Sequence, residues 1–179
     1  MQNSQVKNQL NTNYLVKTAL LLALALVFQI GFSQFAQPAV GPLVNMTLFL
    51  AAITVGTMSG ILVGSLTPLI AFMLGIMPLF PLVVFIIVGN IILVTLFSIV
   101  QKAIKIDRHI IKQAIGVLCG AIVKFAFLAI SVRYFVTFFI EEVPPHLIEM
   151  LTFPQLYTAL VGGALALLLA KRIQPYFKN

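Results

Sequence analysis

Charge is what this sequence has least of. Asp, Glu, Lys and Arg make up 8% of its 179 residues, whereas the water-facing surface of a domain this size takes about 25%. That excludes an ordinary soluble fold. Acids are scarcest: four carboxylates stand against eleven lysines and arginines. Tryptophan is missing, and Cys119 has no second cysteine to pair with, which excludes an intramolecular disulfide and leaves the redox compartment unread. There is no G-x-x-x-x-G-K-[ST] phosphate loop, no H-E-x-x-H and no plausible Ser/His/Asp set. ATP hydrolysis and hydrolytic chemistry have no foothold here, so the chain reads as a non-enzyme without cofactor or metal.

What remains is 61% apolar. Crossing about 30 Å of hydrocarbon takes roughly 20 helical residues, and the apolar runs divide at Pro, Gly and polar interruptions into six spans, near 14–32, 43–57, 59–76, 81–101, 113–139 and 155–172. The expected fold is an all-α integral membrane protein, one membrane domain over 1–179. The stretch 43–79 would run to about 55 Å as one helix and must turn back. Its break is expected at "GTMSG", Gly56 to Gly60, where two glycines and two hydroxyls weaken helix propagation.

Six spans put every basic cluster on one side: Lys7 and Lys17; Lys102, Lys105, Arg108 and Lys112; Lys171, Arg172 and Lys178. Glu141, Glu142 and Glu149 fall on the other. Basic residues collect on the cytoplasmic side, so both termini are expected there and the partner of the surface is the lipid bilayer rather than nucleic acid. A competing reading makes 18–28 the apolar region of a cleaved signal peptide, with small residues near "FAQPA" as its processing site. The polar leader and the multi-span body that follows favour a retained helix.

None of the six spans holds Asp or Glu, and His109 and His146 fall in loops. Proton-driven carriers relay protons through such groups inside the membrane, so uphill transport by this chain alone is disfavoured and the energy is expected from another subunit. Small residues recur at four-residue spacing: Gly56, Gly60 and Gly64; Gly116 and Gly120; Ala19 and Ala23; with Gly162 and Gly163 adjacent. In lipid such ridges let helices approach closely. They serve internal packing or docking to a second membrane protein, and docking is the sharper reading for Ala19 and Ala23, set in a helix otherwise rich in Leu, Val and Phe.

Two polar side chains lie deep. Lys124 is about 16 Å from the start of its span, too far for its chain to reach the basic surface, and it continues the ridge of Gly116 and Gly120. It needs a partner, and no span supplies an acid. Either a ligand brings the anion, or backbone carbonyls, water and Asn90 of "VGNIILV" hold the lysine as a structural lock. Phe127 and Ser131 share its helix face; Arg133 is placed to assist a ligand, anchor at the interface, or pair with Glu141 or Glu142; Tyr157 is a pocket wall or an interfacial tyrosine. The loop "FSQFAQPAVGPLVN" offers the amides Gln34, Gln37 and Asn45 and the ring of Phe35, with Pro42 opening the next helix. It is an ordinary loop or a gate over a pocket formed by spans four to six.

The six spans, Ala19-x-x-x-Ala23, the "GPLVN" entry to the second helix, the glycines between spans two and three, the Gly89–Asn90 pair and the "VKF" at Lys124 together resemble the substrate-binding subunit of energy-coupling-factor vitamin transporters, over nearly the whole chain. The resemblance implies a six-helix bundle in a bacterial cell membrane that captures a vitamin or related micronutrient from outside and tilts in the membrane to release it. It also implies partners, a transmembrane coupling subunit and two ATPases, met through Ala19 and Ala23. The residues themselves nominate Lys124, Asn90, Asn45, Gln37, Phe35, Ser131, Phe127, Tyr157 and Arg133 for the ligand. An anionic solute such as pantothenate suits Lys124, and riboflavin would use Phe35 and the amides. A non-transport membrane scaffold and an autonomous facilitator are the alternatives.

Overall fold

A backbone in hydrocarbon must satisfy its N–H and C=O groups internally, which favours helices wherever the chain is apolar. In the computed structural model the described residues are 2–32, 37–77, 79–105, 107–135 and 145–177, with side chains described over 12–32, 39–77, 79–105, 107–134 and 148–173. These residues form α1 (Gln2–Gly31), α2 (Gln37–Thr54), α3 (Thr57–Met73), α4 (Phe80–Ala103), α5 (His109–Ile130), which runs on into a π turn over Ser131–Phe135, a short α6 (Pro145–Met150) and α7 (Phe153–Phe177). The six expected spans correspond to α1–α5 and α7. Four stretches, Thr12–Gly31, Phe80–Ala103, His109–Tyr134 and Ile148–Ile173, are long and apolar enough to cross a membrane by themselves; Ala39–Thr54 and Thr57–Met73 are apolar but shorter.

Two boundaries moved. The helix α5 begins at His109 rather than near 113, so Lys124 lies about 22 Å along it, two residues past the middle of the helical run His109–Phe135. The helix α6 falls in a stretch read as loop. Of the two glycines in "GTMSG", Gly56 alone makes the turn. Its φ of 137° is a conformation that side chains disfavour, and the N–H groups of Val55 and Gly56 both donate to the Ala51 carbonyl, closing α2. Gly60 lies inside α3 against Val94 and Ala52.

The helix α2 is the centre of the bundle. It packs against α1, α3, α4 and α7, and its Thr47, Leu48, Phe49 and Ala51 are fully enclosed. Leu93, Val94 and Phe97 of α4, Val117 and Ala121 of α5, and Ala159, Ala166 and Ala170 of α7 complete the main core. The rings of Phe49 and Phe97 meet edge to face at 5.2 Å, a geometry worth about 0.5–1.5 kcal/mol beyond area burial. By contrast α1 lies outermost. Thr18, Leu21, Ala25 and Gln29 form its one buried stripe, while Leu15, Val16, Leu20 and Val27 face outward, as a lipid-facing helix must.

The glycines Gly60, Gly64, Gly116, Gly120, Gly162 and Gly163 are spent on contact within the chain. A side chain on Gly162 would come within 2.5 Å of the Pro42 carbonyl oxygen and 2.8 Å of Asn45 Cβ, and Gly163 is equally tight against Val117. These two glycines let α7 lie directly on α2 and α5. Gly163→Val is therefore expected to destabilise the purified protein by about 1–3 kcal/mol through overpacking. Gly31→Ala, where nothing stands within 4 Å, should stay within about 0.5 kcal/mol of wild type; reversible unfolding in detergent micelles measures both.

Candidate functional site

Lys124 projects from α5 into the space between α2 and α4, where it is 2% exposed. Its ammonium donates to Asn90 Oδ1 of α4 at 2.8 Å and to Asn45 Oδ1 of α2 at 3.0 Å. Three helices thus meet on one charge, and both acceptors are neutral.

The orientation of each amide follows from the backbone beside it. Pro68 sits inside α3 and has no N–H, so the carbonyl of Gly64, four residues earlier, loses its helical partner. Asn90 Nδ2 donates to that carbonyl at 2.8 Å. The absence of a side chain at Gly64, where a Cβ would stand 3.1 Å from Asn90 Cβ, lets α4 approach this closely. With its nitrogen committed to α3, Asn90 turns its oxygen to Lys124. Asn45 is fixed likewise: its Nδ2 donates to the Gly41 carbonyl at 2.9 Å and, at 3.4 Å, to Thr158 Oγ1 of α7. Thr158 donates in turn to the Gln155 carbonyl.

A cavity of about 30 Å³ adjoins the ammonium, bordered by Lys124, Asn45, Asn90, Gln29, Thr67 and Gln155 among others. It has room for one or two waters. Gln29 of α1 and Gln155 of α7 are 8% and 4% exposed, yet their side-chain amides hydrogen-bond to none of the described residues. Both amides border the cavity, where water or a ligand can reach them. Among the described residues no carboxylate borders the cavity. Its chemistry is one buried cation ringed by amides, suited to an anion that also carries hydrogen-bonding groups.

Of the residues nominated from sequence, Lys124, Asn90 and Asn45 come together. Ser131 is buried at 1% in the π turn but does not border the cavity. Phe127 is half-buried, its ring turned to Phe85 at 6.5 Å. Tyr157 is 40% exposed and Arg133 exposed, and neither borders the cavity. Gln37 belongs to α2, but its side chain lies outside the described residues, as do Phe35, Gln34, Glu141 and Glu142. Ala19 and Ala23 are both on the outward face of α1. Ala23 borders an apolar groove of about 470 Å³ with Leu20, Leu24 and Val27, walled by Leu50 of α2 and Ile173 of α7. Sequence reading missed Gln29, Gln155 and Thr67. For Gln29 a signal existed: it is the only amide in the apolar run from Ala19 to Gly31, and it lies eleven residues after Thr18, on the same helix face. Among the described residues no group of His, Cys, Asp and Glu is arranged to hold a metal ion.

A family model described as ECF transporter, substrate-specific component, matches residues 13–174. Neither a curated protein nor a solved structure matches the chain. The match takes in every helix that spans the bundle, including the three that meet at Lys124. This chain belongs to the substrate-specific components of ECF transporters, multi-pass membrane proteins that bind a small-molecule substrate and associate with an ECF module rather than act as enzymes.

Proposed function

We propose that this subunit captures a small, water-soluble, anionic micronutrient at the Lys124 cavity and hands it inward when joined to an ATP-hydrolysing module. The observation that carries the reading is the ammonium of Lys124, enclosed among neutral amide oxygens with no acid beside it among the described residues. Two amides satisfy part of its hydrogen-bonding capacity without cancelling its charge. A carboxylate or phosphate would supply both the third acceptor and the missing negative charge, while Gln29 and Gln155 would take the neutral polar groups of the same molecule.

The cavity described is small, about 30 Å³. Sites for vitamin-sized ligands occupy about 300–1,000 Å³, so capture requires an expansion of about tenfold. Asn45 stands where that expansion has its greatest effect, because it joins Lys124 to α2 and, through Thr158, to α7. Access from the face opposite the basic clusters, the exterior by the charge rule, agrees with the position of Lys124 along α5. On the outer face of α1, Ala19 and Ala23 leave the backbone accessible to a close-packing helix, which supports docking of the coupling subunit there.

A binding scan of the purified subunit against water-soluble vitamins should yield a ligand bearing a carboxylate, phosphate or enolate; if only neutral solutes bind, the anionic reading fails. Lys124→Met should weaken that ligand by more than about thirtyfold, the range seen when one partner of a buried charge interaction is removed. A structural lock alone predicts no specific loss of binding. In the unliganded protein, Asn90→Leu should destabilise by about 1–3 kcal/mol or more, because it leaves the ammonium short of an acceptor. Lys124→Met should cost less, since it removes the charge that needs one, and unfolding measurements on the two variants and their combination will show the order. Ala19→Trp should abolish assembly with the ATPase module, read by co-purification, while leaving ligand affinity within about twofold, as expected for a surface change remote from the site.

A further inference from the structure

At the basic end of the bundle a second and much larger cavity, of about 310 Å³, opens between the α2–α3 turn, the end of α4 and the start of α5. Lys102 comes from the last turn of α4, and His109, Lys112 and Gln113 from the first turns of α5. Thr57 faces them from the start of α3, and Ile53 and Phe97 form an apolar floor. Gln101 Nε2 donates to the Lys112 carbonyl at 3.1 Å, tying the two walls together. Asp107, the acid of the α4–α5 connection, is exposed and does not border the cavity. Lys102, His109 and Lys112 make no ion pair with any described residue.

Basic residues at this end are expected from topology alone. Their convergence on one concave space of ligand size is not. Two helices, α3 and α5, also begin at its rim, and neither has a side chain capping its first turn, so free N–H groups add to the positive potential. A tetrahedral oxyanion can accept from several directions at once, and an apolar floor beside it suits the carbon side of an ester.

We propose that this pocket binds a phosphate ester, its oxygens accepting from Lys102, Lys112 and His109 and its carbon skeleton lying over Ile53 and Phe97. An anionic lipid headgroup and a soluble phosphate ester share that chemistry. The cavity is concave rather than flat, which favours a headgroup-sized ligand over an acidic protein segment.

The test uses the full chain in a nonionic detergent at fixed ionic strength, titrated with dioctanoyl phosphatidylglycerol, dioctanoyl phosphatidylcholine and glycerol 3-phosphate, with thermal stability as the readout. Saturable stabilisation by phosphatidylglycerol but not phosphatidylcholine is expected, and the double variant K102Q/K112Q should weaken it about 25-fold, roughly fivefold per lysine. K171Q removes a charge of the same end that does not border the pocket, and should change affinity less than about twofold. Glycerol 3-phosphate binding with the same dependence on Lys102 and Lys112 supports the site and makes its natural ligand soluble; its failure beside success with the lipid makes the ligand a headgroup. If the double variant does not fold, His109→Ala should still weaken binding several-fold. The proposal is overturned if K171Q weakens binding as much as the pocket pair, if no phosphate ester binds, or if only an acidic peptide such as oligoglutamate does.

Discussion

A single buried lysine with no carboxylate beside it among the described residues governs this fold. Placing a lysine inside the membrane costs roughly 2.5–3.5 kcal/mol on insertion scales, and a carboxylate partner would be the direct remedy. The chain instead brings two amide oxygens, from α2 and α4, to within 3.0 Å of Lys124. That arrangement requires α2, α4 and α5 to converge. It requires Gly64 and Gly162 to be without side chains, so that Asn90 and Asn45 can come close. It also uses the break that Pro68 makes in the hydrogen bonding of α3, which gives Asn90 a carbonyl to hold. Residues that look separately like helix defects are parts of one device.

The choice of amides over acids has a functional consequence. A carboxylate would bind the ammonium tightly and cancel its charge, leaving an incoming anion to compete with it. Amide oxygens accept hydrogen bonds from Lys124 without bringing a negative charge, which on the proposed reading leaves that charge to the ligand. Gln29 and Gln155 add two more neutral amides at the border of the cavity. On the proposed reading, a component that has to be stable when empty and selective when filled is served by neutral amides around a buried lysine.

Much of this was legible in the sequence because the bilayer imposes simple rules. The set of apolar helices, the reversal at Gly56 and the deep setting of Lys124 follow from hydropathy and a rise per residue. Asn90 stood out as a polar residue in an apolar helix. Asn45 was visible only as part of an entry loop, because its pairing with Lys124 depends on how α2 lies against α5, which no local pattern encodes. The role of Pro68 was hidden for a related reason: a proline within a helix announces an unpaired carbonyl four residues back, but the group that takes it comes from another helix. Phe127 shares a helix face with Lys124, yet three residues of helix rotation were enough to point its ring at Phe85 instead.

The core also constrains how a bound solute could leave. From the Lys124 cavity toward the basic end, the interior is filled by Leu48, Phe49, Leu93, Phe97 and Ala121, each at most 2% exposed. The contact of Phe49 with Phe97 lies across that line. The floor of the basic pocket is the other side of the same layer, since Phe97 borders it. Among the described residues the two cavities are therefore separated by packed apolar side chains rather than by a gate of polar groups that water could open. A passage would have to pull α2 from α4 and break the amide contacts at Lys124 that hold them. Moving the subunit as a body, with its Lys124 cavity turned toward the other face, leaves this core intact, which makes the packed layer an argument against a pore and for reorientation of the whole bundle.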